Sequence, residues 1–187
     1  MLKQMETLAD FINSDVDILS IGINPSPNAV REGYPFATPQ NRFWPALNKS
    51  NLIERTYIPG KISMRALLEH EHIGFTDVVK RPTPGISELR AEDYRVGAQI
   101  LLGKIDQYEP QLLWFQGKVG YRMFCRYGFN LKPESIDWGL QTEFYNLAPI
   151  FVTPNPSPAN ATYSLDDIVG WFDKLASFSG RDRTPRT

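Results

Sequence analysis

The stretch Asp17-Ile18-Leu19-Ser20-Ile21-Gly22-Ile23-Asn24-Pro25 decides the fold. Its apolar run is stopped by Gly22, Asn24 and Pro25, the pattern of a short buried strand. Outward from it, Ile73–Val79 (IGFTDVV), Gln111–Gln116 (QLLWFQ) and Ile150–Thr153 (IFVT) read the same way. Helical segments lie between them. Met64–His70 is short, whereas Ser87–Tyr108 carries a continuous stripe of Tyr94, Ala98, Leu101, Ile105 and Tyr108 at helical spacing. Gly117 leads into a helix with Val119, Met123 and Phe124. Ser164 and Asp167 match a capping box that opens a last helix bearing Ile168, Trp171, Phe172 and Leu175. Before the second strand, Leu2–Asn13 is expected to form an amphipathic helix, and a long Pro- and Gly-rich loop is expected through Pro39. Asn41 then caps a helix with Phe43, Trp44 and Leu47, with Pro45 tolerated in its first turn. Strands alternating with helices predict an α/β fold: a short, mainly parallel four-stranded sheet covered on both faces. Residues 1–178 read as one domain and 179–187 as a polar tail.

The 187 residues suit a single core, with ordinary hydrophobic (42%) and charged (22%) fractions. The single cysteine, Cys125, excludes an internal disulfide and suits a reducing cytoplasm. The start is polar and of mixed charge, unlike a signal peptide, and no apolar run approaches the roughly 18 residues of a membrane span. His70 and His72, at i and i+2, share no helical face and read as solvated, so no metal or other cofactor is expected. Nothing requires a partner chain, and a monomer is expected. The net charge of −1 does not advertise a nucleic-acid binder, so DNA would have to be met by a local basic patch.

In folds of this class, ligands bind beyond the carboxyl ends of the strands. That rule selects Asn24 onward, Asp77–Arg81, Gly117 onward and Pro154–Asn160. Two of these segments are asparagine-proline loops: Gly22-Ile23-Asn24-Pro25-Ser26-Pro27 and Asn155-Pro156-Ser157-Pro158. Proline makes both stiff and poor in N–H donors. Either loop alone reads as a turn, whereas two at one sheet edge read as a site.

The sequence around these loops resembles the mismatch-specific uracil/thymine-DNA glycosylase family. The blocks that carry the resemblance are Gly22-Ile23-Asn24-Pro25, Tyr34-Pro35-Phe36-Ala37, Asn41-Arg42-Phe43-Trp44, Thr76–Thr83 (TDVVKRPT), Trp138–Thr142 (WGLQT) and Pro154-Asn155-Pro156-Ser157, in family order between about residues 17 and 178. The resemblance implies an α/β/α sandwich and removal of a base flipped out of double-stranded DNA, most readily from a mispair. It implies that Asn24 positions the water attacking C1′, that Phe36 stacks on the flipped pyrimidine and that Tyr34 is also a substrate-binding residue. Backbone around Ile23, Pro25 and Ser26, with Asn155, then meets the edges of the base. Neutral asparagine orients water without taking its proton, so uracil should leave faster than thymine. Asp77 is a candidate general base or accessory carboxylate. Its alternatives are capping a turn or pairing with Lys80 or Arg81. No lysine matches a Schiff-base position, so no lyase step is expected.

Candidate DNA contacts are Lys80, Arg81, Lys118 and the segment Ser157, Pro158, Ala159 and Asn160. The family's second loop commonly continues with Gly and a bulky aliphatic wedge, with a basic residue nearby, whereas here Ala159 is small. Activity on single-stranded or A-paired uracil is the corresponding expectation. Ser26-Pro27 also replaces the more usual Gly-Leu, narrowing how closely the backbone approaches the base. A catalytically silent binder of damaged DNA is a rival reading. A triad hydrolase or a dinucleotide-binding protein fits worse, since neither Gly-x-Ser-x-Gly nor Gly-x-Gly-x-x-Gly occurs where it is needed.

Overall fold

The computed structural model describes residues 6–142 and 148–181. Its elements are β1 (Ile18–Gly22), α1 (Pro27–Glu32), α2 (Phe43–Lys49), α3 (Lys61–Glu71), β2 (Ile73–Asp77), α4 (Ala91–Tyr108), β3 (Leu112–Gln116), α5 (Lys118–Phe129), β4 (Gly139–Leu140), β5 (Ile150–Thr153) and α6 (Leu165–Phe178). The strands form one sheet in the order β2-β1-β3-β5-β4. β2, β1, β3 and β5 run parallel, and β4 is an antiparallel edge.

Alternation along the strands sorts the core into two halves. Ile18, Phe75, Trp114 and Phe151 face α2, α3 and α6, where Phe43, Leu47, Leu67 and Phe172 meet them. Leu19, Ile21, Phe115 and Val152 face α4 and α5, against Leu101, Ile105 and Phe124. The three-layer arrangement is therefore dictated by strands that are apolar on both sides.

Four expectations are corrected. The sheet has five strands, because Gly139–Leu140 adds a two-residue edge too short to show any alternation. No helix occupies described residues 6–13. Instead Phe11 bridges Phe75 in antiparallel fashion, with N–H···O contacts of 3.0 and 2.8 Å. β2 is the sheet's outer strand on that side, and its free backbone groups recruit the N-terminal segment. The expected loop through Pro39 contains α1, which Ser26 caps by accepting from Ala29 N (3.1 Å), with Pro27 at its start. Serine followed by proline at a first helical position was a readable signal. Finally, the long helix begins at Ala91, after a 3-10 turn over Ile86–Glu88, and not at Ser87. No helix among the described residues is long and apolar enough to cross a membrane.

One close approach positions the site. A Cβ on Gly97 would lie 2.1 Å from the carbonyl oxygen of Val78, one residue beyond β2. Only glycine lets α4 lie against this segment. Gly97→Ala is expected to lower stability by about 1–3 kcal/mol through overpacking against rigid backbone, read as a fall in the urea midpoint with unchanged slope.

Candidate functional site

The sheet face toward α2 and α6 changes character at its carboxyl edge. Ile18, Ser20 and Gly22 follow one another on that face of β1, as do Ile73, Phe75 and Asp77 on β2, and Leu112, Trp114 and Gln116 on β3. Each series is apolar below and polar or bare at the top. Above this edge lies a cavity of about 340 Å³, near the lower end of the range for small-molecule sites. Ser20, Gly22, Asp77 and Gln116 line its floor, and the two asparagine-proline loops line its sides.

Asn24 is held by the loop after β2. Its Nδ2 donates to the Arg81 carbonyl (2.9 Å) and to Thr83 Oγ1 (2.8 Å). The Thr83 hydroxyl spends its own proton on the Gly85 carbonyl (2.9 Å). These partners of Asn24, and the Pro25 carbonyl at 3.3 Å, are all acceptors, so chemistry alone fixes which end of the amide is which. Oδ1 is left as the pole without a protein partner among the described residues. Arg81 in turn is bolted to Asp93 by a two-pronged ion pair (2.8 and 2.7 Å) and donates to the Glu88 carbonyl (2.6 Å). The hydrogen bonds and charge of Arg81 hold the Asp93 carboxyl down at about 2.

Phe36 stands in the left-handed region (φ 59°), an uncommon conformation for an aromatic residue. One face of its ring is stacked on Phe43 at 3.9 Å and 15°, and Phe36 also lines the cavity. Tyr34 lies behind it, edge-on to Trp44 at 6.4 Å, and does not line the cavity.

Asp77 lies over Gly22, where a Cβ would come 2.5 Å from its Oδ1. Its side chain is 13% exposed, with Lys80 Nζ at 3.9 Å. Burial pushes its carboxyl up to about 6, Lys80 and Lys104 acting to lower it and Asp10 to raise it. Both lysines are engaged more closely by Asp10, at 2.7 and 2.5 Å, and Thr76 Oγ1 donates to the same carboxylate (2.8 Å). Burial works to raise Asp10, but these two ammonium groups and their hydrogen bonds hold it below its ordinary value.

The structure thus brings Ile23, Asn24, Pro25, Ser26, Phe36, Asp77, Asn155, Ser157, Pro158 and Ala159 around one cavity. Ser26 has ordinary extended backbone (φ −78°), so its turn does not need a glycine. The basic residues behave differently. Lys80 and Arg81 spend their charge on Asp10, Asp77 and Asp93, and Lys118 Nζ rests over the Trp138 ring at 4.5 Å. Asn160 closes its own loop by donating to the Asn155 carbonyl (2.9 Å). Asn155 Oδ1 accepts from Ser157 N (2.8 Å), which leaves its Nδ2 as a donor.

Sequence reasoning missed Ser20 and Gln116. Gln116 is 2% exposed; its Nε2 donates to Ser20 Oγ (2.7 Å) and its Oε1 has no hydrogen-bond partner among the described residues. Alternation from Trp114 would have marked Gln116 as inward. Asp10 and Thr83 carried no such mark, because their partners lie far away in the chain.

A sequence profile of the uracil DNA glycosylase superfamily matches residues 9–176. The chain belongs to the uracil DNA glycosylase superfamily. Among solved structures, it is similar to a Methanosarcina acetivorans protein provisionally described as a uracil DNA glycosylase and determined by NMR in solution. The TM-score is 0.60 at 19% identity, covering 96% of this chain and 99% of that one. At that identity the likeness establishes the shared fold, a mostly parallel α/β sheet between helices.

Thr83→Val removes one of the acceptors that fix Asn24 while keeping side-chain shape. The side-chain amide signals of Asn24 are expected to shift and broaden in NMR spectra. Stability should fall by about 1–3 kcal/mol, because the buried hydroxyl both accepts from Asn24 and donates to the Gly85 carbonyl.

Proposed function

We propose that this superfamily member is a monofunctional DNA glycosylase that hydrolyses the N-glycosidic bond of uracil mispaired with guanine, by base flipping. Thymine and modified cytosines are secondary substrates. The observation that carries this reading is the fixed Asn24 amide, which offers a carbonyl oxygen at a cavity one base can fill. That oxygen orients the attacking water and Phe36 stacks on the base. Gln116 Oε1 is a buried acceptor without a partner among the described residues, a cost that an N–H on the base edge removes. Asn155 Nδ2 provides a donor for a base carbonyl as negative charge develops on the leaving group.

Asp77 acts as the general base that asparagine cannot be. A carboxyl held at about 6 is ionised at neutral pH and still able to accept a proton. The rate should rise as pH increases through about 6 and level off above it. Asp77→Asn should flatten that limb and lower the plateau about 10²-fold or more. The stability sign runs the other way. Because the folded pKa lies above the unfolded value of about 3.9, the folded state holds this proton more tightly, and stability falls as pH rises from about 4 to about 6. Asp77→Asn should therefore not lower the melting temperature at pH 7, which separates lost catalysis from lost folding.

A broader uracil glycosylase is favoured by one observation: the exposed loop tip, Pro158-Ala159, is small and uncharged. Base release from G·U, G·T and A·U duplexes and from single-stranded uracil decides between the two. Faster G·U cleavage that falls about 10²-fold or more in Asn24→Ala supports the mismatch enzyme. Equal cleavage in every uracil context supports the broader one. No release from any substrate at high enzyme would rule out both.

A further inference from the structure

The rim loop from Asn155 to Asn160 holds Pro156 and Pro158, which have no N–H, so it has more carbonyl acceptors than donors. One residue supplies the deficit. The Arg42 guanidinium donates to the carbonyls of Pro156 (3.4 Å), Ser157 (2.8 Å), Asn160 (2.6 Å) and Tyr163. Its backbone N–H donates to the Pro156 carbonyl as well (3.1 Å). Arg42 immediately precedes α2, whose Phe43 backs the Phe36 ring. No carboxylate reaches Arg42 among the described residues, so this is a backbone clamp and not an ion pair. Only a planar fork with five donors can span so many carbonyls, whereas lysine's single ammonium cannot.

Pro158 and Ala159 are exposed and line the cavity mouth. Drawing a base from a duplex opens a gap in the stack and orphans its partner, a cost of a few kcal/mol that a single strand does not incur. A bulky side chain can fill such a gap from a mobile loop. Proline and alanine can help only if the backbone is already held at the right height.

We propose that Arg42 is a positioning residue for duplex substrates: by clamping the Asn155–Asn160 carbonyls it holds the Pro158-Ala159 tip where the extruded base leaves its gap. The inference rests on the glycosylase reading above.

The test compares wild type, Arg42→Lys and Arg42→Gln as full-length chains. Single-turnover uracil release is measured from one oligonucleotide, single-stranded and in a G·U duplex, with hydrogen exchange at Ala159 and Asn160. Expected is a duplex rate lowered about tenfold or more in both variants, as a contact misplaced by about 1 Å commonly costs. The single-strand rate should change by less than about threefold, well under that cost, and exchange at the loop amides should quicken. Arg42→Lys guards against a variant that fails to fold. Equal losses on both substrates would mean a merely structural role and overturn the proposal, as would unchanged loop exchange. If wild type releases uracil from neither substrate, the glycosylase reading fails and this inference with it. If wild type is active and the duplex-to-single-strand ratio is constant across all three proteins, only this inference fails.

Discussion

The site depends on the parallel pairing of β1 with β2 continuing past the ends of both strands. Val78 N donates to the Gly22 carbonyl (2.9 Å) and Val79 N to the Ile23 carbonyl (2.8 Å). This two-residue extension carries Asn24 to the Arg81 carbonyl and sets Asp77 opposite Gly22. Since side chains alternate along a strand, a one-residue slip would turn Asp77 away from the cavity. The close seat of α4 at Gly97, directly behind Val78, holds the segment from the other side of the sheet.

Electrostatics at this edge are organised around neutrality and not around a basic field. Asp10 draws Lys80 and Lys104 to itself, and Arg81 is consumed by Asp93. That leaves Asp77 poorly compensated and explains why burial dominates its protonation. Lys80, Lys104 and Arg81 are thus spent inside the protein, and this edge presents few of the free cations that a field attracting phosphates needs.

Both asparagine-proline loops face the same difficulty, too few backbone donors, and meet it from outside. In the first, Asn24 reaches across to the Arg81–Thr83 segment, and Thr83 N returns a bond to the Pro25 carbonyl (3.2 Å). In the second, Arg42 reaches in from α2. Rigid proline backbone held by a few charge-dense or well-aligned donors gives preorganised walls without long side chains.

Much of this was legible in the sequence. Four apolar runs, the stripe from Tyr94 to Ile105 and the Ser164–Asp167 box announce an α/β sheet covered on both faces, because burial on two sides requires those patterns locally. The strand-end rule pointed to the edge where the cavity lies, and Asn24, Phe36, Asp77 and Asn155 all line it. Tertiary structure alone decided the rest. Whether residues 6–13 coil or bridge depended on the open edge of β2, and whether Lys80 and Arg81 are free cations depended on Asp10 and Asp93, distant in the chain or across a turn. The fixed end of the Asn24 amide, the Gln116–Ser20 hydrogen bond and the carbonyl clamp of Arg42 all join residues dozens of positions apart. Local sequence sets which groups a segment needs to satisfy; only the packed chain determines which distant group satisfies them.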